Sequence, residues 1–171
     1  RARPLVLTLG LPLETALAST MMRTGSVSEG RDIGVVFNLP RRSGPCVLPA
    51  CGGVGTQYTP AVGWAQAIRY RAQVLREAEW QGCVALAHGG EASTTTNGFW
   101  SALNIATTQR LPLLFYIEDN GYGISVPSSL QTPGGNIAAN LAAFRSLRIF
   151  EGDGSEPRAA ASAIERSTFE T

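Results

Sequence analysis

The sequence predicts an α/β fold built on a parallel sheet with helices on both faces. Two unbroken apolar runs of strand length, Gly82–His88 and Pro112–Ile117, carry this reading. Strands buried on both faces show such runs, whereas half-exposed strands alternate. A helix-like stretch, Gly98–Arg110, separates them, as a parallel crossover requires. Each run also ends in a polar, Gly-rich cluster: His88-Gly89-Gly90-Glu91-Ala92-Ser93 after the first, Glu118-Asp119-Asn120-Gly121-Tyr122 after the second. Ligands of parallel sheets bind beyond the carboxyl ends of the strands, where both clusters fall.

In chain order, residues 11–23 read as a helix, because Leu13, Leu17 and Met21 recur every four positions. Residues 24–50 read as a long functional or disordered loop carrying Gly25, Gly30, Gly34, Pro40, Gly44 and Pro45. The Gly52-Gly53-Val54-Gly55 turn precedes a helix over 60–80, whose start suits Pro60. Beyond the two strands come a helix over 136–146, a short strand over 147–150 and a helix over 157–170.

A chain of 171 residues fits one domain, 1–171, with a full core. It begins with Arg and stops on a helix-like segment, and reads as a piece trimmed at both ends. With 44% hydrophobic residues and a formal charge of +1, it is neither disordered nor a seeker of nucleic acid. All 14 basic residues are Arg, which reads as codon bias. No apolar run reaches the ~18 residues of a membrane span, and nothing at the N-terminus resembles a signal peptide. Cys46, Cys51 and Cys83 have no metal spacing and read as reduced thiols, which places the chain in the cytoplasm.

Glu91 and Asn120 stand 29 positions apart, yet adjacent parallel strands would bring them side by side. Alone, Glu91 reads as a helix cap and Asn120-Gly121 as a turn. Jointly, a carboxylate and an amide oxygen suit a hard divalent cation, magnesium or calcium, and small neighbours let a phosphate approach the backbone. Other motifs carry less. Gly52–Gly55 lacks the Lys-Ser/Thr ending of a phosphate loop and the strand and acid of a dinucleotide fingerprint, which disfavours a nicotinamide enzyme. Gly152-Asp153-Gly154 reads as a turn. His88, the single histidine, gives no zinc site or nucleophile triad. Arg69, Arg71, Arg76, Glu77 and Glu79 read as a solvated helix face, and Trp64, Trp80 and Trp100 as core or interface.

These residues resemble a family. Gly90-Glu-Ala-Ser-Thr-Thr-Thr-Asn-Gly-Phe-Trp-Ser-Ala-Leu-Asn104 is similar to the thiamine diphosphate motif, which opens Gly-Asp-Gly and closes near Asn. The run from Leu111-Pro112 to Glu118-Asp119-Asn120-Gly121-Tyr122-Gly123-Ile124-Ser125 resembles its closing half. Together they resemble the alpha chain of the 2-oxo acid dehydrogenases, the decarboxylating first component. Gly53–Gln57 with Pro60 and Gly63 resembles that family's turn before a helix, and the start, Arg1–Gly10, its Tyr-Arg segment without the Tyr.

The resemblance spans almost the whole chain and implies a thiamine diphosphate-binding fold. It implies that Glu91, Asn120 and the backbone carbonyl of Tyr122 hold magnesium. Gly90, Ala92, Ser93 and Asn120 would belong to the cofactor-binding set, with Ala92 and Ser93 on the diphosphate through backbone and side chain. Arg1 would add a charge-assisted contact. Gly52 and Val54 would hold the aminopyrimidine through backbone groups, and Ile124 would sit beneath the cofactor. Glu91 and Ala92 depart from Gly-Asp-Gly. Branched-chain members also use Glu, whereas Ala92 brings a Cβ to a backbone position where positive φ would be needed.

The implied activity is oxidative decarboxylation of a 2-oxo acid, pyruvate or branched-chain, with acyl transfer to a lipoyl group on an acyltransferase partner. The implied assembly is a heterotetramer with a beta subunit, separate or fused. That subunit supplies the activating Glu, so no catalytic residue is expected in this chain alone. An acetoin-cleaving or transketolase-like thiamine enzyme, or a non-catalytic assembly relative, are the other readings.

Overall fold

The computed structural model describes residues 3–31, 39–40, 44–48 and 52–169. Arg1, Gly34, Cys51 and Glu170, which entered the reading above, lie outside them. The chain divides into two compact units, residues 1–56 and 57–171.

The first unit has two short helices, α1 (Arg3–Thr8) and α2 (Leu13–Thr20). A small core of Val6, Leu11 and Ala16 joins them, with Leu39 and Val47 packed against it across a single antiparallel bridge. The helix expected over 11–23 is present but shorter. Its Leu13–Leu17–Met21 stripe is exposed, and Ala16 and Ser19 form the buried face instead.

The second unit begins with α3 (Tyr58–Gln73). Its inner face repeats at helical spacing through Tyr58, Ala61, Val62, Ala65, Ile68 and Ala72. The helix expected to run to residue 80 stops earlier, because the chain reverses at Arg76, whose φ is 56°. The reversal is held by Arg71 Nε donating to Glu77 at 2.5 Å and by Gln81 Nε2 donating to the Ala72 carbonyl at 2.6 Å. The Arg71 guanidinium also lies 4.5 Å from the Trp80 ring centre, so this part of the expected solvated face is a built corner.

The strands β1 (Ala85–Gly90) and β2 (Leu113–Glu118) pair in parallel, with α4 (Asn97–Gln109) between them. Both strands sit further along the chain than the apolar runs suggested, and both reach into the polar clusters. Ala85, Ala87, Leu113, Phe115 and Ile117 share one core cluster with the buried faces of α3 and α4. The alternate residue Leu86 is half exposed, so the expected helical cover is seen on one face. Arg69 ties α3 to the end of α4, donating to the Gln109 carbonyl at 2.6 Å.

After β2 a tight hairpin forms from β3 (Tyr122–Gly123) and β4 (Val126–Pro127). The helix expected over 136–146 contracts to α5 (Ile137–Leu141), opened by the Asn136 side chain accepting from Ala139 N–H at 2.9 Å. Residues 147–150 form no strand, and Ile149 remains exposed. The turn expected at Gly152–Gly154 lies slightly later, at residues 153–156, held by Asp153 accepting from Ser155 and Glu156. The last helix is α6 (Pro157–Phe169). Trp64 and Trp100 are exposed rather than core residues, although Trp100 contacts Phe99 and Phe144. Among the described residues no helix is long and apolar enough to cross a membrane.

Candidate functional site

The register of the sheet builds the site. Gly90 lies opposite Glu118, so the chain leaves both parallel strands at the same level. Glu91 is the first residue beyond β1 and Asn120 the second beyond β2. The Asn120 N–H lies 3.5 Å from Glu91 Oε2. The side-by-side placement expected from the sequence is therefore present.

Glu91 is only 2% exposed, and its Oε1 is buried with no hydrogen-bond partner. A carboxylate oxygen taken out of water without a partner is among the costlier features of a fold, and it points to a ligand that completes it. Asn120 is exposed, and its Oδ1 accepts from the Tyr122 N–H at 3.0 Å while keeping a second lone pair. Among the described residues no three of His, Cys, Asp and Glu gather as a metal cluster. A cation here would therefore meet one carboxylate and neutral oxygens, a donor set that suits a hard cation retaining some water. The residues present fit magnesium on the evidence of the orphaned Glu91 oxygen.

The turn that carries Glu91 is a 3₁₀ segment, Glu91–Thr95. Four successive hydroxyls fold back onto the carbonyl three residues before them: Ser93 onto Gly90 at 2.6 Å, Thr94 onto Glu91 at 2.6 Å, Thr95 onto Ala92 at 2.8 Å and Thr96 onto Ser93 at 2.8 Å. Ala92 is not among the residues with positive φ, so the strain expected of its Cβ does not arise. Ser93 is buried, and its hydroxyl is engaged by Tyr58 and the Gly90 carbonyl.

The floor of this turn is the start of α3. Tyr58 is fully buried against Phe99 and Phe115, and its hydroxyl lies 2.5 Å from Ser93 Oγ. Burial raises the Tyr58 phenol above its ordinary pKa, partly opposed by the Ser93 hydrogen bond. Gln57 Nε2 donates to the His88 carbonyl at 3.0 Å. Gly89 passes so close that a Cβ there would collide with the Tyr58 hydroxyl and lie 2.5 Å from Ser93 Oγ. Tyr58 and Gln57 escaped the sequence reading as parts of the site. The available signal was a phenol at the first helical position of an otherwise aliphatic buried stripe.

His88 is partly buried, and its Nε2 lies 3.1 Å from Glu118 Oε1, outside hydrogen-bonding geometry. The pair becomes an ion pair only with a protonated imidazole. Glu118 was not singled out by sequence, although its place opposite Gly90 follows from the register.

The β3–β4 hairpin lies over the Glu91 turn. A Cβ on Gly123 would lie 2.6 Å from the Ala92 methyl, and Gln131 Nε2 donates to the Val126 carbonyl at 2.6 Å. Between the two strands, Ile124 has φ 57° and is 95% exposed. Left-handed backbone is costly for a β-branched residue, and such strain clusters at ligand sites.

In the other unit, Gly52 and Val54 lie exposed in the expected turn, where Thr56 Oγ1 donates to the Gly53 carbonyl at 2.8 Å. A cavity of about 420 Å³ at the end of α4, lined by Thr107, Thr108, Arg110, Phe144 and Arg145, includes none of the site residues.

Comparison with known proteins adds a family. The profile of the family described as "Dehydrogenase E1 component" matches residues 1–167. The chain is 29% identical over 138 residues to the 2-oxoisovalerate dehydrogenase subunit alpha, mitochondrial, of Bos taurus, covering 81% of this chain and 28% of that protein. The Homo sapiens protein of the same name is 28% identical over the same length, again with 81% and 28% coverage. The pyruvate dehydrogenase E1 component subunit alpha of Staphylococcus aureus is 31% identical over 85 residues, 50% of this chain and 21% of that protein. The chain thus spans little more than a quarter of the relatives matched over most of its length.

Proposed function

The chain belongs to the dehydrogenase E1 component family as a 2-oxo acid dehydrogenase alpha subunit, and on that premise we propose that it supplies the metal and diphosphate half of a thiamine diphosphate site. The reaction is the oxidative decarboxylation of a 2-oxo acid, of the pyruvate or branched-chain class, with the acyl group passed to a lipoyl-bearing acyltransferase. The site is completed by a beta subunit, which carries the group that activates the cofactor. The chain, residues 1–171, then belongs to a thiamine diphosphate-binding fold. Thiamine diphosphate, when bound, supplies the carbanion and the electron sink.

The observation that carries this reading is the buried, unpartnered Glu91 Oε1 beside Asn120 at the ends of two parallel strands. Glu91, Asn120 Oδ1 and the Tyr122 carbonyl would hold magnesium. Gly90 and the backbone amides of Ala92 and Ser93 would face the diphosphate. The strained Ile124 would support the cofactor from below. The hydroxyl ladder over residues 93–96 keeps the Glu91 turn rigid, so that its geometry is set before the cation arrives.

The test is calorimetric titration of thiamine diphosphate, with and without magnesium, into the full-length chain assembled with its beta partner. Magnesium-dependent binding is expected in wild type and lost in Glu91→Ala and Asn120→Ala. Binding that ignores magnesium, or survives in both variants, would overturn the assignment.

A further inference from the structure

We infer that Tyr58 is a positioning residue for the cation site: through Ser93 it fixes the Gly90–Glu91 peptide and thereby aims the Glu91 carboxylate. This inference rests on the metal reading of Glu91 above.

Three observations carry it. Tyr58 is fully buried, with its ring edge-on to Phe99 at 5.1 Å between centres, and its hydroxyl is a polar atom in an apolar core. Such a hydroxyl must find a partner, and it meets Ser93 Oγ at 2.5 Å. Ser93 Oγ in turn lies 2.6 Å from the Gly90 carbonyl oxygen. A serine hydroxyl has one proton, and the carbonyl can only accept. The order of donation is therefore fixed: Tyr58 O–H donates to Ser93 Oγ, and Ser93 O–H donates to Gly90 C=O. Bonds in such a chain polarise and strengthen one another.

The relay ends on the peptide that joins β1 to Glu91. Holding that carbonyl inward sets the plane of the peptide and with it the direction in which the Glu91 side chain leaves the backbone. The space for the relay exists because residue 89 is glycine, since any side chain there would collide with the Tyr58 hydroxyl. The relay makes no bond to Glu91 Oε1, which keeps no hydrogen-bond partner. Tyr58 thus acts on the carboxylate by setting its backbone. The function served is selectivity, because magnesium demands near-ideal octahedral geometry whereas calcium tolerates irregular ligand sets.

The test uses the full-length chain assembled with its beta partner, thiamine diphosphate at a fixed saturating concentration, and Mn²⁺ as probe, read by electron paramagnetic resonance. Mg²⁺ and Ca²⁺ serve as competitors. Tyr58→Phe keeps the ring and removes the hydroxyl; Ser93→Ala breaks the relay one step later; Glu91→Gln removes the proposed ligand. Supporting groups of this kind change metal affinity by about 10–100-fold, which is the loss expected in Tyr58→Phe. The preference for Mg²⁺ over Ca²⁺ should fall with it. The double variant of Tyr58 and Ser93 should lose no more than the worse single one, because both act through one relay.

Tyr58→Phe with wild-type affinity and selectivity would overturn the inference. So would an equal loss for Mg²⁺ and Ca²⁺, the signature of a looser fold without re-aiming, and so would additive losses in the double variant. Failure of the metal reading looks different: wild type then takes up no Mn²⁺ saturably, or Glu91→Gln retains it.

Discussion

Glu91→Gln should stabilise the metal-free protein and abolish its stabilisation by metal. Within the fold the Glu91 side chain is 2% exposed, one oxygen has no protein partner, and the other has a long contact of 3.5 Å to Asn120 N–H. An unsatisfied buried neutral group costs about 1–3 kcal/mol, and a charged one more. Replacing the carboxylate by an amide of the same shape leaves the first cost and removes the excess, a gain of about 1–2 kcal/mol. For a chain of this length that shifts the midpoint of thermal unfolding upward by about 2–8 °C. With thiamine diphosphate and magnesium at about one hundred times their dissociation constant, wild type gains about 2.7 kcal/mol and the variant almost nothing. The order of stabilities therefore reverses on adding ligand. Scanning calorimetry at fixed protein concentration, with chelator and then with magnesium and cofactor, reads both halves. A variant less stable than wild type in chelator would refute the orphaned-charge argument, and one that still gains from magnesium would refute the ligand role.

Other expectations follow from the same geometry. Phe99→Ala removes a ring that is 1% exposed and meets Tyr58, Trp100 and Phe115, and should cost about 3–5 kcal/mol in denaturant unfolding. Ile124→Gly should relieve a left-handed backbone at an exposed position, raising stability by about 1 kcal/mol while weakening thiamine diphosphate binding in calorimetric titration. Burial raises the Tyr58 phenol above 10.0, so the folded chain holds that proton more tightly than the unfolded one. Its contribution to stability is complete below pH 10 and is lost as pH climbs through the folded pKa. In a tyrosinate absorbance titration one of the 4 tyrosines should ionise only as the chain unfolds, and Tyr58→Phe should remove that component.

The part of the site legible in the sequence is the part that sheet geometry dictates. Once two apolar runs are read as parallel neighbours, their carboxyl ends coincide, and Glu91 and Asn120 must meet within a residue or two of the register found. The floor was not legible for the opposite reason. Tyr58 reaches Ser93 across 35 positions, and nothing local marks a buried phenol as a donor to a distant turn. Ala92 was misread because a family glycine suggests positive φ, whereas here the 3₁₀ turn accepts a methyl and uses it to seat Gly123. The helix expected over 60–80 ended early because Arg76 turns left-handed, a choice fixed by the Arg71–Glu77 and Gln81–Ala72 bonds formed only after folding. Of the two readings offered for the tryptophans, the core one fails for Trp64 and Trp100, because both lie on the outer faces of their helices.

The unevenness of satisfaction around β1 is itself an argument about function. Gly90, Glu91, Ala92 and Ser93 each have a carbonyl covered by a hydroxyl, and the His88 carbonyl is covered by Gln57. A turn that covers five backbone acceptors in six residues is strongly specified, and the Thr94–Glu91 bond at its centre is fully buried, where it would be costly to lose. In the midst of this order the most expensive atom of all, a buried carboxylate oxygen, has none. Poor packing of the turn would have left backbone groups unpaired first. A rigid frame around one unpartnered carboxylate oxygen is the arrangement that the proposed magnesium site would need.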